Sequence, residues 1–139
     1  MRVVADTNVV ISGLLWLGTP GRVLEAAAKG RITLYTSPTL VAELSETLQS
    51  AKLAARIEAS GLTLDELLQR YLDVVILVEP QSVSRVVPDD PDDDEVVAAA
   101  IAARAELIVS GDRHLLDIKT YSGIRIVQPA EATRIIAAS

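Results

Sequence analysis

Residues 2–16 read Arg2-Val3-Val4-Ala5-Asp6-Thr7-Asn8-Val9-Val10-Ile11-Ser12-Gly13-Leu14-Leu15-Trp16. The opening run has the apolar character of a strand buried on both faces. It stops at Asp6, and a helical stretch follows from about Asn8 to Trp16. A buried strand, a polar stop and a helix make one unit of an alternating chain. The alternation continues outward from there. Pro20 opens a helix with Val23, Leu24 and Ala27 on one face, and Ile32-Thr33-Leu34-Tyr35 reads as a second strand. Ser37-Pro38 pairs an N-cap residue with proline at the first helical position, so a helix runs from there to about Gln49. Two more helical segments cover about 51–60 and 63–72, the second opened by Thr63 with Glu66 at capping-box distance.

Val74-Val75-Ile76-Leu77-Val78 reads as a third strand, closed by Pro80. An Ala-rich helix at about 91–105, the strand Leu107-Ile108-Val109, the turn Ser110-Gly111-Asp112 and a short helix at 113–117 follow. A strand at 124–127 and a helix at 130–138 complete the chain. Short apolar strands alternating with helices predict an α/β fold with a parallel sheet covered on both faces. With 139 residues and no linker-like interruption, residues 1–139 are expected to form a single domain. In such folds ligands bind beyond the carboxyl ends of the strands.

Composition removes several classes of function. The chain has no cysteine, which excludes disulfides, thiolate zinc sites and cysteine nucleophiles. Its single histidine, His114, weighs against a Ser-His-Asp triad and a His-rich metal site. Half the residues are apolar, far from the composition of a disordered chain. No stretch approaches the ~20 apolar residues of a membrane span. Val9 to Gly18 has the look of a signal-peptide core, but Asp6 and Asn8 stand where basic residues should precede it. No membrane partner is expected, and the reading is cytoplasmic.

Thirteen basic residues face nineteen acidic ones, for a net charge of −6. Six of the acids fall in one short stretch: Asp89, Asp90, Asp92, Asp93, Asp94 and Glu95. Without them the bases and acids balance. An acidic isoelectric point of about 4.7 argues against an extended basic surface for nucleic acid. It leaves open a site where bound divalent cations meet a phosphate.

Asp6 ends the first strand, and Asp112 follows the Leu107–Val109 strand after Ser110-Gly111, so both emerge at the carboxyl edge of the sheet. Each is also a natural N-cap for the next helix. Asp90-Pro91 reads as a helix start, where acids are favoured by the helix dipole. That explains Asp92, Asp94 and Glu95 without singling out Asp93. Val96, Val97, Ala100 and Ile101 stand three, four, seven and eight positions after Asp93, which turns Asp93 toward the sheet. Asp94 points roughly 100° away. In the helix from Pro38, Glu43 borders the apolar stripe of Leu40, Val41, Leu44 and Leu48, whereas Glu46 faces away. Asp6, Glu43, Asp93 and Asp112 could therefore converge. Carboxylates crowded together raise one another's pKa unless cations neutralise them. Oxygen ligands suit Mg²⁺ and Mn²⁺, and such a centre can activate water and clamp a phosphodiester.

The ordered set Val3-Val4-Ala5-Asp6-Thr7-Asn8-Val9-Val10-Ile11-Ser12, Asp90-Pro91-Asp92-Asp93, and Ile108-Val109-Ser110-Gly111-Asp112 with Leu115-Leu116 resembles the PIN-domain ribonuclease family. The resemblance covers essentially the whole chain and is strongest to the toxin branch of toxin–antitoxin pairs. It implies a three-layer α/β/α sandwich with a mainly parallel central sheet of about five strands. It implies endoribonuclease activity dependent on Mg²⁺ or Mn²⁺, leaving 5′-phosphate and 3′-hydroxyl ends. The family's acidic quartet carries over onto Asp6, Glu43, Asp93 and Asp112, with Asn8 and Ser110 as polar supports. Where the family offers one clear aspartate at the third position, this chain crowds four. Asp93 is the choice that helical phase favours, Asp94 is the alternative, and Asp90 could assist from the loop. An RNA substrate, a small antitoxin and a homodimer or higher homo-oligomer are the implied partners.

Arg22, Arg113 and His114 are candidate RNA contacts, while Trp16 and Tyr35 read as packing residues. A haloacid-dehalogenase-like phosphatase would want an acid two residues after Asp6, and Asn8 stands there. The rival from another class is a catalytically silent RNA- or partner-binding module on the same fold.

Overall fold

The computed structural model describes residues 1–16, 18–80 and 91–139, with only the helical backbone of 91 and 92. Asp90, a suggested loop assistant, lies outside the described residues. The elements in chain order are β1 (Arg2–Ala5), α1 (Thr7–Leu15), α2 (Gly18–Ala28), β2 (Thr33–Thr36), α3 (Pro38–Leu48), a 3₁₀ turn (Ala51–Leu53), α4 (Ala54–Ala59) and α5 (Leu64–Leu72). They continue with β3 (Val75–Leu77), α6 (Pro91–Ala103), β4 (Leu107–Val109), α7 (Arg113–Ile118), β5 (Thr120–Tyr121), β6 (Ile124–Val127) and α8 (Pro129–Ala138).

The strands form one sheet in the order β3-β2-β1-β4-β6-β5. All neighbours are parallel except β5, which pairs antiparallel with β6. Among the described residues the sheet thus has six strands where about five were expected. The addition is a two-residue strand turned back through Ser122 and Gly123, whose φ angles of 50° and 82° let the chain reverse in two residues. β3 departs differently from expectation. It is an edge strand, so Ile76 and Leu77 stay half exposed instead of being covered on both faces.

Period-two alternation divides the core. Val3 and Ala5 of β1, Leu34 of β2, and Leu107 and Val109 of β4 pack with Val9, Leu15, Leu44, Leu67 and Ile136 from α1, α3, α5 and α8. Val4, Ile108 and Ile126 point to the other face, against Val97 and Ala100 of α6 and Leu115 of α7. Small residues let α6 lie close to the sheet. Ile101, expected on its inward stripe, is instead partly exposed, while Ala99 and Ala103 are buried.

Helix α1 is held against α2 by the absence of a side chain. A Cβ at Gly13 would stand 2.7 Å from Leu24 Cδ1 and 3.1 Å from the Pro20 carbonyl oxygen. The Leu24 tip can yield, but the Pro20 backbone cannot without moving α2. Gly13→Val is therefore expected to lower stability by about 1–3 kcal/mol, read as a lower denaturant midpoint at unchanged slope. An unchanged midpoint would mean that α1 and α2 separate at no cost.

The chain runs outward from β1 to β2 and β3, then crosses back to β4 and on to β6. The order reverses between β1 and β4. That is the crevice where open α/β sheets bind ligands, and it fixes where Asp6 and Asp112 stand.

Candidate metal centre

Ala5 and Val109 are register partners on β1 and β4. Asp6 and Ser110, the next residue of each strand, therefore leave the sheet side by side, with the Asp6 N–H donating to the Val109 carbonyl at 3.0 Å. Asp6 caps α1: Val9 N donates to Asp6 Oδ1 at 2.8 Å. Ser110 Oγ donates to Asp6 Oδ2 and accepts from Asp112 N at 2.9 Å. Asp112 in turn caps α7 by accepting from His114 N at 2.8 Å. Both aspartates are helix caps, and the same hydrogen bonds fix their carboxylates at the crevice. Fully buried Ser110 ties the two together.

Asp6, Glu43, Asp93 and Asp112 line a single small cavity of about 110 Å³, together with Thr7, Asn8 and Val96. Each arrives from a different place: the end of β1, the middle of α3, the first turn of α6 and the loop after β4. Asp93 is only 6% exposed. Asp94, one position on, is half buried and does not line the cavity. Burial pushes the Asp6 carboxyl above its ordinary value, and the Asp112 charge adds to the rise. Hydrogen bonds from Ser110, Val9 and Gly111 pull the other way without cancelling it. An anionic Asp6 is costly here unless a positive charge joins it.

The donor set fits a hard divalent cation. Ligand atoms of Asp93, Asp112 and His114 all lie within 4.8 Å of one another. Carboxylate oxygens suit Mg²⁺ and Mn²⁺, and one imidazole nitrogen is compatible with Mn²⁺. A water occupies about 30 Å³ in the liquid, so the cavity has room for an ion that keeps a few waters.

His114 is the residue whose position the sequence reading undervalued. Its Nδ1 is 3.6 Å from Asp112 Oδ1 and the ring is largely exposed. The signal was available in the cap, since an Asp at the N-cap places the second helical residue beside its carboxylate. Of the other suggested RNA contacts, Arg113 is exposed beside Asp112. Arg22 stands elsewhere, in a groove between α2 and α8 with Lys29, Arg31 and Arg134. Tyr35 is half buried beneath the Arg2 guanidinium, 5.8 Å from the ring centroid. Trp16, read as packing, is half exposed.

The family model described as PIN domain matches residues 2–114. The protein named Uncharacterized protein MJ1680 from Methanocaldococcus jannaschii is 30% identical over 120 residues, which span 86% of this chain and 76% of that protein. Among solved structures, the crystal structure of VapBC2 from Rickettsia felis bound to a DNA fragment from their promoter is similar in fold. It has a TM-score of 0.61 at 16% identity, covering 91% of this chain and 97% of that one. This chain belongs to the PIN domain family.

Proposed function

We propose that this PIN domain protein is a divalent-metal-dependent endoribonuclease, the toxin of a toxin–antitoxin pair. The observation that carries the reading is the meeting of Asp6, Glu43, Asp93 and Asp112 in one cavity at the point where the strand order reverses. The toxin role is supported by the likeness in fold to VapBC2, together with the family membership.

Asp6, Asp93 and Asp112 would hold the ion, Mg²⁺ or Mn²⁺, with Glu43 at the cavity wall and His114 within reach of the same position. When bound, the ion supplies Lewis acidity toward a phosphoryl oxygen and makes an attached water a better nucleophile at neutral pH. The protein's own residues do the rest. Ser110 keeps Asp6 and Asp112 in fixed relation through its two hydrogen bonds. Asn8, exposed on the cavity rim, can donate its amide to a phosphate oxygen. Glu43 can accept a proton from the attacking water. In-line attack with the 3′ oxygen leaving yields 5′-phosphate and 3′-hydroxyl ends.

The test is Mn²⁺-dependent cleavage of a mixed pool of structured RNAs, with the Asp93→Asn protein purified identically beside the wild type. Cutting by the wild type alone, stopped by chelator and leaving 5′-phosphate ends, is the expected result. Equal cutting by both proteins, or cutting that survives chelator, would refute the assignment. Metal uptake has its own readout. Mn²⁺ at a hundred times its Kd should stabilise the wild type by about 2.7 kcal/mol, roughly 5–10 °C in Tm, and should leave Asp93→Asn little changed. The toxin role predicts growth arrest on expression, relieved by co-expression of a small protein encoded beside this gene.

A further inference from the structure

A second cavity, of about 440 Å³, adjoins the acidic one and shares Asn8 with it. It runs along α1 to the 3₁₀ turn. Asn8, Ile11, Ser12 and Trp16 follow one another at zero, three, four and eight positions, so one face of α1 forms its wall. Lys52 and Leu53 face them from the turn. Trp16 is the chain's single tryptophan and is 50% exposed, although a tryptophan used for packing is ordinarily well buried.

The ring is braced. The Arg56 guanidinium carbon lies 5.1 Å from the Trp16 centroid, and Arg56 Nε donates to the Leu15 carbonyl at 3.2 Å. Arg56 does not line the cavity. A cation on the ring and a backbone anchor on the cation hold an aromatic surface at the groove, with little rotamer freedom left to lose on binding. Lys52 is exposed and belongs to the same groove, a positive charge beside a site rich in negative ones.

We infer that this groove is a subsite for single-stranded RNA, one base stacking on Trp16 and one phosphate meeting Lys52, with the chain continuing past Asn8 to the acidic cavity. The inference rests on the hydrolase reading for what happens at the other end. The eight-residue step from Asn8 to Trp16, the C-cap of α1, spans about 12 Å, which is the length of roughly three to four stacked nucleotides. The stacked base therefore lies a few nucleotides from the phosphodiester cut. An aromatic platform with a cation is the general means by which proteins hold single strands with little sequence preference.

The test uses the single tryptophan as its own reporter. Titrating the wild type in chelator with short single-stranded oligoadenylate should quench Trp16 emission. In the Mn²⁺ assay, Trp16→Ala should raise KM about 5- to 150-fold with little change in kcat, and Trp16→Phe should restore most of the loss. Lys52→Gln should raise KM and flatten its salt dependence by about 0.7 in the log–log slope, the share of one phosphate on a single strand. Quenching without any cutting would keep the subsite and remove the hydrolase reading. Normal cutting with unchanged emission, and with unchanged KM in both Trp16→Ala and Lys52→Gln, would overturn the subsite and leave the hydrolase standing. The groove would then be free for a protein partner.

Discussion

Asp6→Asn is expected to lower metal-dependent cleavage at least about a hundredfold while making the metal-free protein more stable than the wild type. The loss of activity follows from removing one of the four carboxylates that line the cavity. Disrupting groups that merely orient metal ligands typically costs 10- to 100-fold, and Asp6 lines the cavity itself. The gain in stability follows from linkage. Burial raises the Asp6 carboxyl above its ordinary value of 3.8, so between 3.8 and the raised value the native state binds more protons than the unfolded one. Stability then falls as pH climbs through that window, and above it the penalty is fully present. The wild type therefore loses stability as pH rises from 3.8, and the neutral amide does not.

The substitution preserves the local structure. Asn is as good an N-cap as Asp, so its carbonyl oxygen can still accept from Val9 N. The Asn amide N–H can donate to Ser110 Oγ, whose second lone pair remains available beside the bond from Asp112 N. The Ser110 hydroxyl gives up the acceptor it has in Asp6 Oδ2, a cost that offsets part of the gain. Denaturation in chelator should therefore show Asp6→Asn above the wild type at pH 7, the two converging as pH falls below the ordinary carboxyl value. Saturating Mn²⁺ should reverse the order, because only the wild type gains from the ion. An Asp6→Asn protein that is less stable in chelator would show that the carboxylate is well paired without metal.

How much of this was legible in the sequence depends on the range of the interactions involved. Strand β1 and its polar stop were readable, because an apolar run ended by a capping aspartate is a local pattern. Ser37-Pro38 and the Thr63–Glu66 capping box were readable for the same reason, and the box is present in full. Strand β5 was not. Thr120 and Tyr121 make no apolar run, and the strand exists because Ser122-Gly123 folds it back on β6. A Ser-Gly pair before Ile124 was the available hint. The exposure of Ile76 and Leu77 could not be read either, since edge position is a property of strand order and an edge strand can carry the same apolar run as a central one.

Within the site, helical phase carried the reading a long way. It turned Asp93 inward and set Glu43 at the border of its stripe before any tertiary contact was known, and both line the cavity. It gave no indication that His114 would stand near Asp93, because that depends on how α7 leaves the sheet, whereas its place beside Asp112 follows from the cap. Trp16, read as packing, is half exposed: it is the C-cap that follows α1, where the chain turns away and the stripe no longer decides exposure.

Asp93→Asn and Asp94→Asn should differ sharply although the residues are adjacent. Successive helical positions point about 100° apart. Asp93 shares its direction with Val96, Val97 and Ala100, which are at most 3% exposed, and it is itself 6% exposed. Asp94 is half buried and outside the cavity. Asp93→Asn is expected to reduce Mn²⁺-dependent cleavage at least about a hundredfold and to remove the Mn²⁺-dependent rise in Tm. Asp94→Asn should change the rate by no more than about two- to threefold, the scale of a surface substitution of 0.5 kcal/mol, and should keep the metal response. Both variants retain the shape of the side chain, so neither creates a void in α6. The opposite result, with Asp94→Asn inactive and Asp93→Asn active, would mean that the first turn of α6 is rotated by one residue. The inward face of the helix would then start from Asp94, and the assignment of the third acid would move with it.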